Sequence, residues 1–451
     1  MSVTRYASLD RARLRPETAA ARRALFAAAR EGLARHTGSG QVGSAFFVPG
    51  RIEVLGKHTD YAGGRSLLCA SEQGFCVVAR KRPDAVVRVV DAVGNQVCDT
   101  ALDPDIGPVL GHWTNYPSTV VRRIARNFPD ARRGCDLAFA SNLPSAAGMS
   151  SSSAFMIAVY LPLAGVNALP EQKAYRASIS HAEDLAAYLA TIENGKSFGE
   201  LPGDRGVGTF GGSEDHTAIL CCREGELSQY RFAPVRRERQ VTWPSGCALV
   251  VASSGVVAEK TGAALVAYNR ASLSASRVLD VWRTTTGRDD ATLDAALASS
   301  PGAADTLRAA LRSTRAGDFT AEVLVKRLDQ FESESRDILP RAADALAAGQ
   351  LEAFGALVAR SQDGAERWLG NQVPETVTLA RDARRCGAIA ASAFGAGFGG
   401  SVWAMVPSAD VDGFIARWSA GYAQQHPGPA RGAAFFETRP GSPALQFDSI
   451  D

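Results

Sequence analysis

No stretch of the 451-residue sequence reaches the roughly 18 consecutive apolar residues of a membrane-spanning helix, so no membrane span is expected. The eight cysteines are scattered, with only Cys221 and Cys222 adjacent and no Cys-x-x-Cys pair. That argues against a structural zinc site and a disulfide framework, and it fits a reducing cytoplasm. Charge of one sign is missing too: 49 Lys and Arg against 47 Asp and Glu leave a formal +2, with no dense basic run. The electrostatic case for nucleic-acid binding falls with it. There is no internal repeat and no low-complexity tail. What remains, 46% hydrophobic and 21% charged, is an ordinary globular composition with enough chain for two domains.

The N-terminus, "MSVTRYASLDRARLRPETAAARRALFAAAREGLARHTG", has the Arg and Ala content of a transit peptide. It also carries Asp10, Glu17 and Glu31 and places Leu25, Phe26, Ala29 and Leu33 at helical spacing, which predicts a surface helix. Residues 1–40 are therefore read as a helical extension. "SAFFVPGRIEVLG" reads as a strand, a Pro-Gly turn and a second strand, and "RSLLCA" and "FCVVARKRPDAVVRVVDAVG" add more strands. "PSTVVRRIARNF", "MSSSSAFMIAVYLPLAGV" and "EQKAYRASISHAEDLAAYLATIENG" read as helices, followed by a turn-rich insertion at 197–215. A composition change near residue 240 divides a first domain, 41–240, from a second, 241–451. The second holds the strand "CALVVASSGV", long amphipathic helices and the Gly-rich turn in "SAFGAGFGGSVWAMV". The fold class is α+β in two domains.

Three stretches carry chemistry. "PGRIEVLGKHT" (49–59) nearly spells a phosphate-binding loop, but Gly50 and Gly56 lie one residue too far apart and His58 separates Lys57 from Thr59. Ile52 and Val54 alternate as in a strand. The cluster Lys57-His58-Thr59-Asp60-Tyr61 that follows suits a polyol, with donors and acceptors at short range, although a solvated turn accounts for it as well. "LPSAAGMSSSSA" (143–154) is the better phosphate site: small residues and Gly148 precede four serines that open an apolar helix. Its unpaired backbone donors and dipole favour an anion, whereas a simple N-cap needs one serine. Gly395–Gly400 contains Gly-x-Gly-x-x-Gly, but a strand follows where a dinucleotide site requires a helix.

Together, "PGRIEVLGKHTDYAGG", "LPSAAGMSSSSA" and "FGAGFGGS" resemble, in order and spacing, the three motifs of the GHMP small-molecule kinases, closest to the galactokinase branch. "HWTNY" (112–116) and "SSGVVAEKTGAALVAYNR" (253–270) resemble secondary marks of that branch. The resemblance implies a two-domain GHMP kinase fold, a ribosomal-S5-like N-terminal half and a ferredoxin-like C-terminal half, with the active site in the cleft. It also implies transfer of the γ-phosphoryl group of ATP, with Mg²⁺, to a hydroxyl of a small sugar, usually the anomeric one.

Carried over residue by residue, Asp215 in "GGSEDH" matches the catalytic acid, with Glu214 competing, and Arg51 matches the arginine beside it. Gly212, His58, Asp60 and Tyr268 match sugar contacts. Gly148, Ser150, Ser151, Ser152 and Ser153 would take the ATP phosphates. Ser152 and Glu193, with Glu183 as a rival, would hold the metal. Trp113 and Tyr116 would line the adenine pocket unless they are plain aromatic core. Two departures stand out: Lys57 replaces a glutamate, and Ser213-Glu214 replaces an apolar pair. Lys57 either meets an acidic sugar such as a uronic acid or turns outward to pair with a neighbour such as Glu53. A non-catalytic sugar sensor and another GHMP activity are the alternatives. The 197–211 insertion reads as a hinged lid or a disordered loop. The sequence implies no particular oligomeric state.

Overall fold

The computed structural model describes residues 3–12, 14–38, 40–109, 111–144, 147–256, 262–313 and 318–450. Thirteen strands run through it: β1 Thr4–Ser8, β2 Ser44–Leu55, β3 Arg65–Lys81, β4 Val86–Asp91, β5 Gln96–Ala101, β6 Cys135–Ser141, β7 Glu226–Arg231, β8 Arg236–Thr242, β9 Cys247–Ser253, β10 Ala390–Phe394, β11 Ser401–Pro407, β12 Ala434–Thr438 and β13 Leu445–Ser449. They form a nine-stranded mixed sheet in the order β1-β13-β2-β3-β6-β4-β5, with β7 paired to β3 and β8 to β7, and a four-stranded antiparallel sheet, β10-β11-β9-β12. This is a mixed α/β architecture built on two sheets.

Strand β2 shows how the large sheet is held and why it reaches the site. Successive side chains of a strand face opposite ways. Phe46, Val48, Ile52 and Val54 therefore enter the main core with the helix Ser151–Val166. Ala45 and Phe47 meet Phe26, Ala29 and Leu33 of the helix Pro16–Thr37 on the other side. Further along that second face, Arg51 and Glu53 line a cleft instead. The small sheet shares the main core through Leu249, Val251, Trp403 and Met405, and packs its other face on the helices Pro374–Arg385 and Val411–Gln425. A separate cluster of helices, including Gly262–Thr286 and Ala321–Glu332, closes around Ala62.

Four sequence readings need correction. The expected Pro-Gly turn in "SAFFVPGRIEVLG" is absent: β2 runs straight through, paired with β3 on both sides and irregular between Pro49 and Arg51. The segment 171–195 is two helices, Lys173–Ser178 and Ala182–Asn194, because Asp184 accepts bonds from the backbone of Ser180 and His181 and starts the second afresh. The N-terminal extension contains a strand as well as a helix. That strand pairs in parallel with β13, so the end of the second domain returns to the first sheet. The 197–211 insertion is neither lid nor loose loop. Asp204 lies in a buried ion pair with Arg122 at 2.8 Å, Arg123 donates to Lys196 O at 2.7 Å, and Asn127 donates to Pro202 O at 2.9 Å. No helix among the described residues is long and apolar enough to cross a membrane.

Candidate active site

The loop after β2 is bent by backbone conformations that few residues adopt. Gly56 has φ +117°, and a Cβ there would lie 2.6 Å from Ser66 Cα. His58 sits at φ +56°, an unfavourable angle for a side-chain-bearing residue, held by its surroundings. Those surroundings come from the C-terminal half. Gln330 donates to Lys57 O at 3.0 Å, Arg327 donates to His58 O, and Glu334 accepts from Gly56 N at 2.8 Å. Ala396 O lies 3.0 Å from His58 Nε2 and can only accept, so Nε2 carries the proton, leaving Nδ1 to accept from the Tyr61 hydroxyl at 3.1 Å.

Beside this loop lies an open cleft. At its centre Arg51, only 3% exposed, donates through Nε to Asp215 Oδ1 at 2.8 Å and brings Nη2 within 2.7 Å of the same oxygen. Its Nη1 donates to Gly148 O at 2.6 Å, which ties the acid to the serine-rich loop. Ser153 Oγ, on the first turn of the helix Ser151–Val166, donates to Glu193 Oε2 at 2.7 Å and lies 3.3 Å from Asp215 Oδ2. His216 Nε2 stands 3.6 Å from Glu193 Oε2. Gly212 presses against Asp60, where a Cβ would come within 2.2 Å of Asp60 Oδ2, and that same oxygen accepts from Glu214 N at 3.1 Å.

So many buried acids shift one another. Burial works against the Arg51 charge, but the Asp215, Glu214 and Glu53 carboxylates outweigh it and raise its pKa. Burial pushes Glu53 up to about 7, opposed by Lys57 and Arg51, and raises Asp60 as well. Glu214 is raised well above the usual carboxylate range by burial, then by Glu53 and Asp60. Arg51 thus stays a fixed cation beside Asp215.

The serine-rich end has the opposite character. Gly148 (φ +71°) and Ser150 (φ +59°) turn the chain sharply into a helix whose first turn has no side-chain cap. Ser150 Oγ and Ser151 Oγ are buried and have no hydrogen-bond partner among the described residues. Orphaned hydroxyls beside the four unpaired donors of a helix N-terminus fit phosphate oxygens. Among the described residues no three His, Cys, Asp or Glu side chains converge on a metal position. A Mg²⁺ ion that binds mainly to phosphates needs only one or two protein oxygens, and Ser153 with Glu193 fits that demand. Ser145 and Ala146 of the motif lie outside the described residues, as do Val257–Thr261 of the 253–270 segment.

Comparison with known proteins agrees with this geometry. Residues 35–81 match the galactokinase galactose-binding signature, 115–212 the GHMP kinases N-terminal domain and 342–424 the GHMP kinases C-terminal domain. The chain belongs to the galactokinase-like branch of the GHMP kinases. A galactokinase of Chloroflexus aggregans is 29% identical over 383 residues, covering 83% of this chain and 87% of its own. One from Actinobacillus pleuropneumoniae is 37% identical over 113 residues, 25% of this chain and 29% of its own. The crystal structure of Lactococcus lactis galactokinase complexed with galactose superposes with a TM-score of 0.74 at 23% identity, over 92% of this chain and 98% of that one. At that identity the likeness speaks for the fold. As a GHMP kinase of this branch, the protein is a sugar-kinase-type phosphotransferase.

Within this GHMP kinase the residues named from sequence divide three ways. Arg51, His58, Asp60, Glu193, Gly212, Asp215 and Tyr268 all line the one cleft. Gly148 and Ser150–Ser153 stand at the helix that borders it; Ser153, rather than Ser152, faces Glu193 and Asp215. Glu183 sits at the far end of the helix that carries Glu193. Trp113 and Tyr116 do not line the cleft around Asp215; Trp113 lies 6.0 Å from Phe155 and 6.4 Å from Phe139, ring to ring.

Lys57 is oriented differently from either expectation, although its charge does act on neighbouring Glu53. The side chain is 1% exposed and Nζ donates to Ser361 Oγ at 2.8 Å, which in turn donates to Glu334. Lys57 neither lines the cleft nor turns outward, so the reason to expect an acidic sugar is gone. Among the cleft residues that the sequence analysis did not place in the site are Glu53, His216 and Asn194. Asn194 donates to Gly211 O at 2.9 Å and so holds the strand of chain that carries Gly212. Glu53 had one available signal, a charged residue inside an apolar alternation.

Proposed function

We propose that the protein transfers the γ-phosphoryl group of ATP to the anomeric hydroxyl of a neutral sugar, galactose or a close relative. The carrying observation is the position of Asp215: gripped by Arg51 and touching Ser153, it lies where the donor-rich helix terminus meets the acid-rich loop. The sugar would rest against Asp60, His58 and Tyr268, and the phosphates against Gly148 and Ser150–Ser153, with Trp113 and Tyr116 toward the adenine. Asp215 accepts the proton of the attacking hydroxyl at its carboxylate. The sugar oxygen then forms its bond to the γ-phosphorus as the bond to the bridging oxygen of ADP breaks. Arg51 keeps Asp215 ionised and places positive charge near the transferring group. Mg²⁺, held by Ser153 and Glu193, would neutralise phosphate charge.

A coupled ADP-release assay with galactose, arabinose and uronic acids, followed by phosphorus NMR of the product, tests this. One sugar 1-phosphate formed per ADP is the expected result. Nucleotide binding with no turnover on any sugar would make the protein a sensor instead.

A further inference from the structure

The 197–211 insertion ends at the cleft, and just before Gly212 it presents a hydroxyl that the proposed mechanism does not use. Thr209 lines the cleft and is 3% exposed, and its Oγ1 is buried with no hydrogen-bond partner among the described residues. The chain on both sides of it is fixed. Asn269 donates to Gly208 O at 3.0 Å and accepts from Phe210 N at 2.9 Å, as a neighbouring strand would. Val207 N donates to Glu193 O at 2.8 Å, and Gly211 O accepts from Asn194 at 2.9 Å. Its neighbours also mark which end of the cleft Thr209 serves. A Cβ on Gly211 would lie 2.6 Å from the Tyr268 hydroxyl, and one on Gly212 would lie 2.2 Å from Asp60 Oδ2. Both of those side chains belong to the end assigned to the sugar. A buried hydroxyl left unpaired is costly, and a ligand that pairs with it removes that cost. One rotation exchanges a threonine's hydroxyl and methyl between staggered positions, so the hydroxyl can turn to a ligand with no change of backbone. It both donates and accepts, which suits a sugar hydroxyl on either side of the bond.

We propose that Thr209 is a specificity-determining residue: its hydroxyl pairs with one hydroxyl of the bound sugar and disfavours sugars that lack it. The proposal rests on the kinase reading for the kind of ligand but not for turnover. A site that holds a hydroxyl in this way discriminates against the deoxy analogue, because the analogue leaves the protein group unpaired. Thr209 acts here on binding; the proton of the reaction stays with Asp215.

The test is calorimetric binding of galactose and its singly deoxygenated forms to the full chain, with Mg-ATP turnover measured in parallel. Thr209→Val keeps the shape and removes the hydroxyl. It should weaken galactose by about three- to tenfold, raising KM and sparing kcat, with ADP affinity unchanged. One deoxy sugar, the one that lacks the partner of Thr209, should bind wild type and variant alike. Thr209→Ser should restore galactose binding. Without sugar, Thr209→Val should melt no lower than wild type, since no hydrogen bond is lost. Galactose affinity unmoved by Thr209→Val, or an equal loss for every deoxy sugar, would overturn the proposal. A Thr209→Val protein that melts lower or fails to fold would overturn it too, because the hydroxyl would then be holding the structure. A selective loss without turnover would leave this proposal standing and sink the kinase reading; turnover insensitive to Thr209 would do the reverse. Binding of none of these sugars would sink both.

Discussion

At one end of the cleft, the serine-rich turn leaves donors open: a helix terminus with no side-chain cap and the Ser150 and Ser151 hydroxyls, buried with no partner among the described residues. At the other, the loop after β2 is tied to the C-terminal helices through Gly56 N, Lys57 O and His58 O, and the side chains facing the cleft are mostly acceptors. The difference follows from what each end would receive. A phosphate brings only acceptors, so donors wait for it, and the helix dipole adds its charge. A sugar brings hydroxyls whose stereochemistry must be read, so acceptors are fixed in place beforehand. Arg51 joins the two ends, bonded at once to Gly148 O and to Asp215.

Removing the acid at the join should have the largest effect. Asp215→Asn should cut kcat by about 10²–10⁴ with nucleotide binding kept, measured in single-turnover assays; an undiminished kcat would give the base role to Glu214. Next comes Lys57, which the comparison places behind the sugar end. Lys57→Met should lower stability by on the order of 2 kcal/mol, because a buried ammonium and its hydrogen bond are lost, and should leave the ranking of sugars unchanged. A change in that ranking would put Lys57 back in the site. The smallest effect is in pH. Glu53 titrates near 4.5 when unfolded and at about 7 when folded, and Glu214 is raised too. The folded state therefore binds more protons between those values, so stability is full below the unfolded pKa and falls as pH rises through the window. Glu53→Gln lacks that penalty, and its melting temperature relative to wild type should climb by a few degrees between about pH 5 and pH 8.

Local chemistry was legible in the sequence wherever a motif stayed together in the chain. Gly148 with its serines, and His58 with Asp60, are each one short stretch; the second lines the cleft and the first borders it through Arg51 and Asp215. What escaped depends on distant partners. The direction of Lys57 is decided by Ser361 and Glu334, some three hundred residues away, and no local pattern announces them. Substitution for a glutamate made Lys57 conspicuous, yet the cleft carboxylate stands four residues earlier, in a strand that looks like ordinary core. The return of β13 to the first sheet was hidden for a similar reason: "LQFDS" is too short to show which sheet it joins. Asp204 holds the glycine-rich insertion through Arg122 and Arg123, so a stretch that reads as flexible is firmly packed.

The division of labour between the two ends is tested most directly by measuring ADP and galactose affinities separately for Ser153→Ala and Gly212→Ala. Ser153→Ala should weaken Mg-nucleotide by about tenfold or more and leave galactose alone. Gly212→Ala, whose Cβ would collide with Asp60, should weaken galactose and leave nucleotide alone. Crossed effects, or both ligands weakened by both variants, would contradict the account.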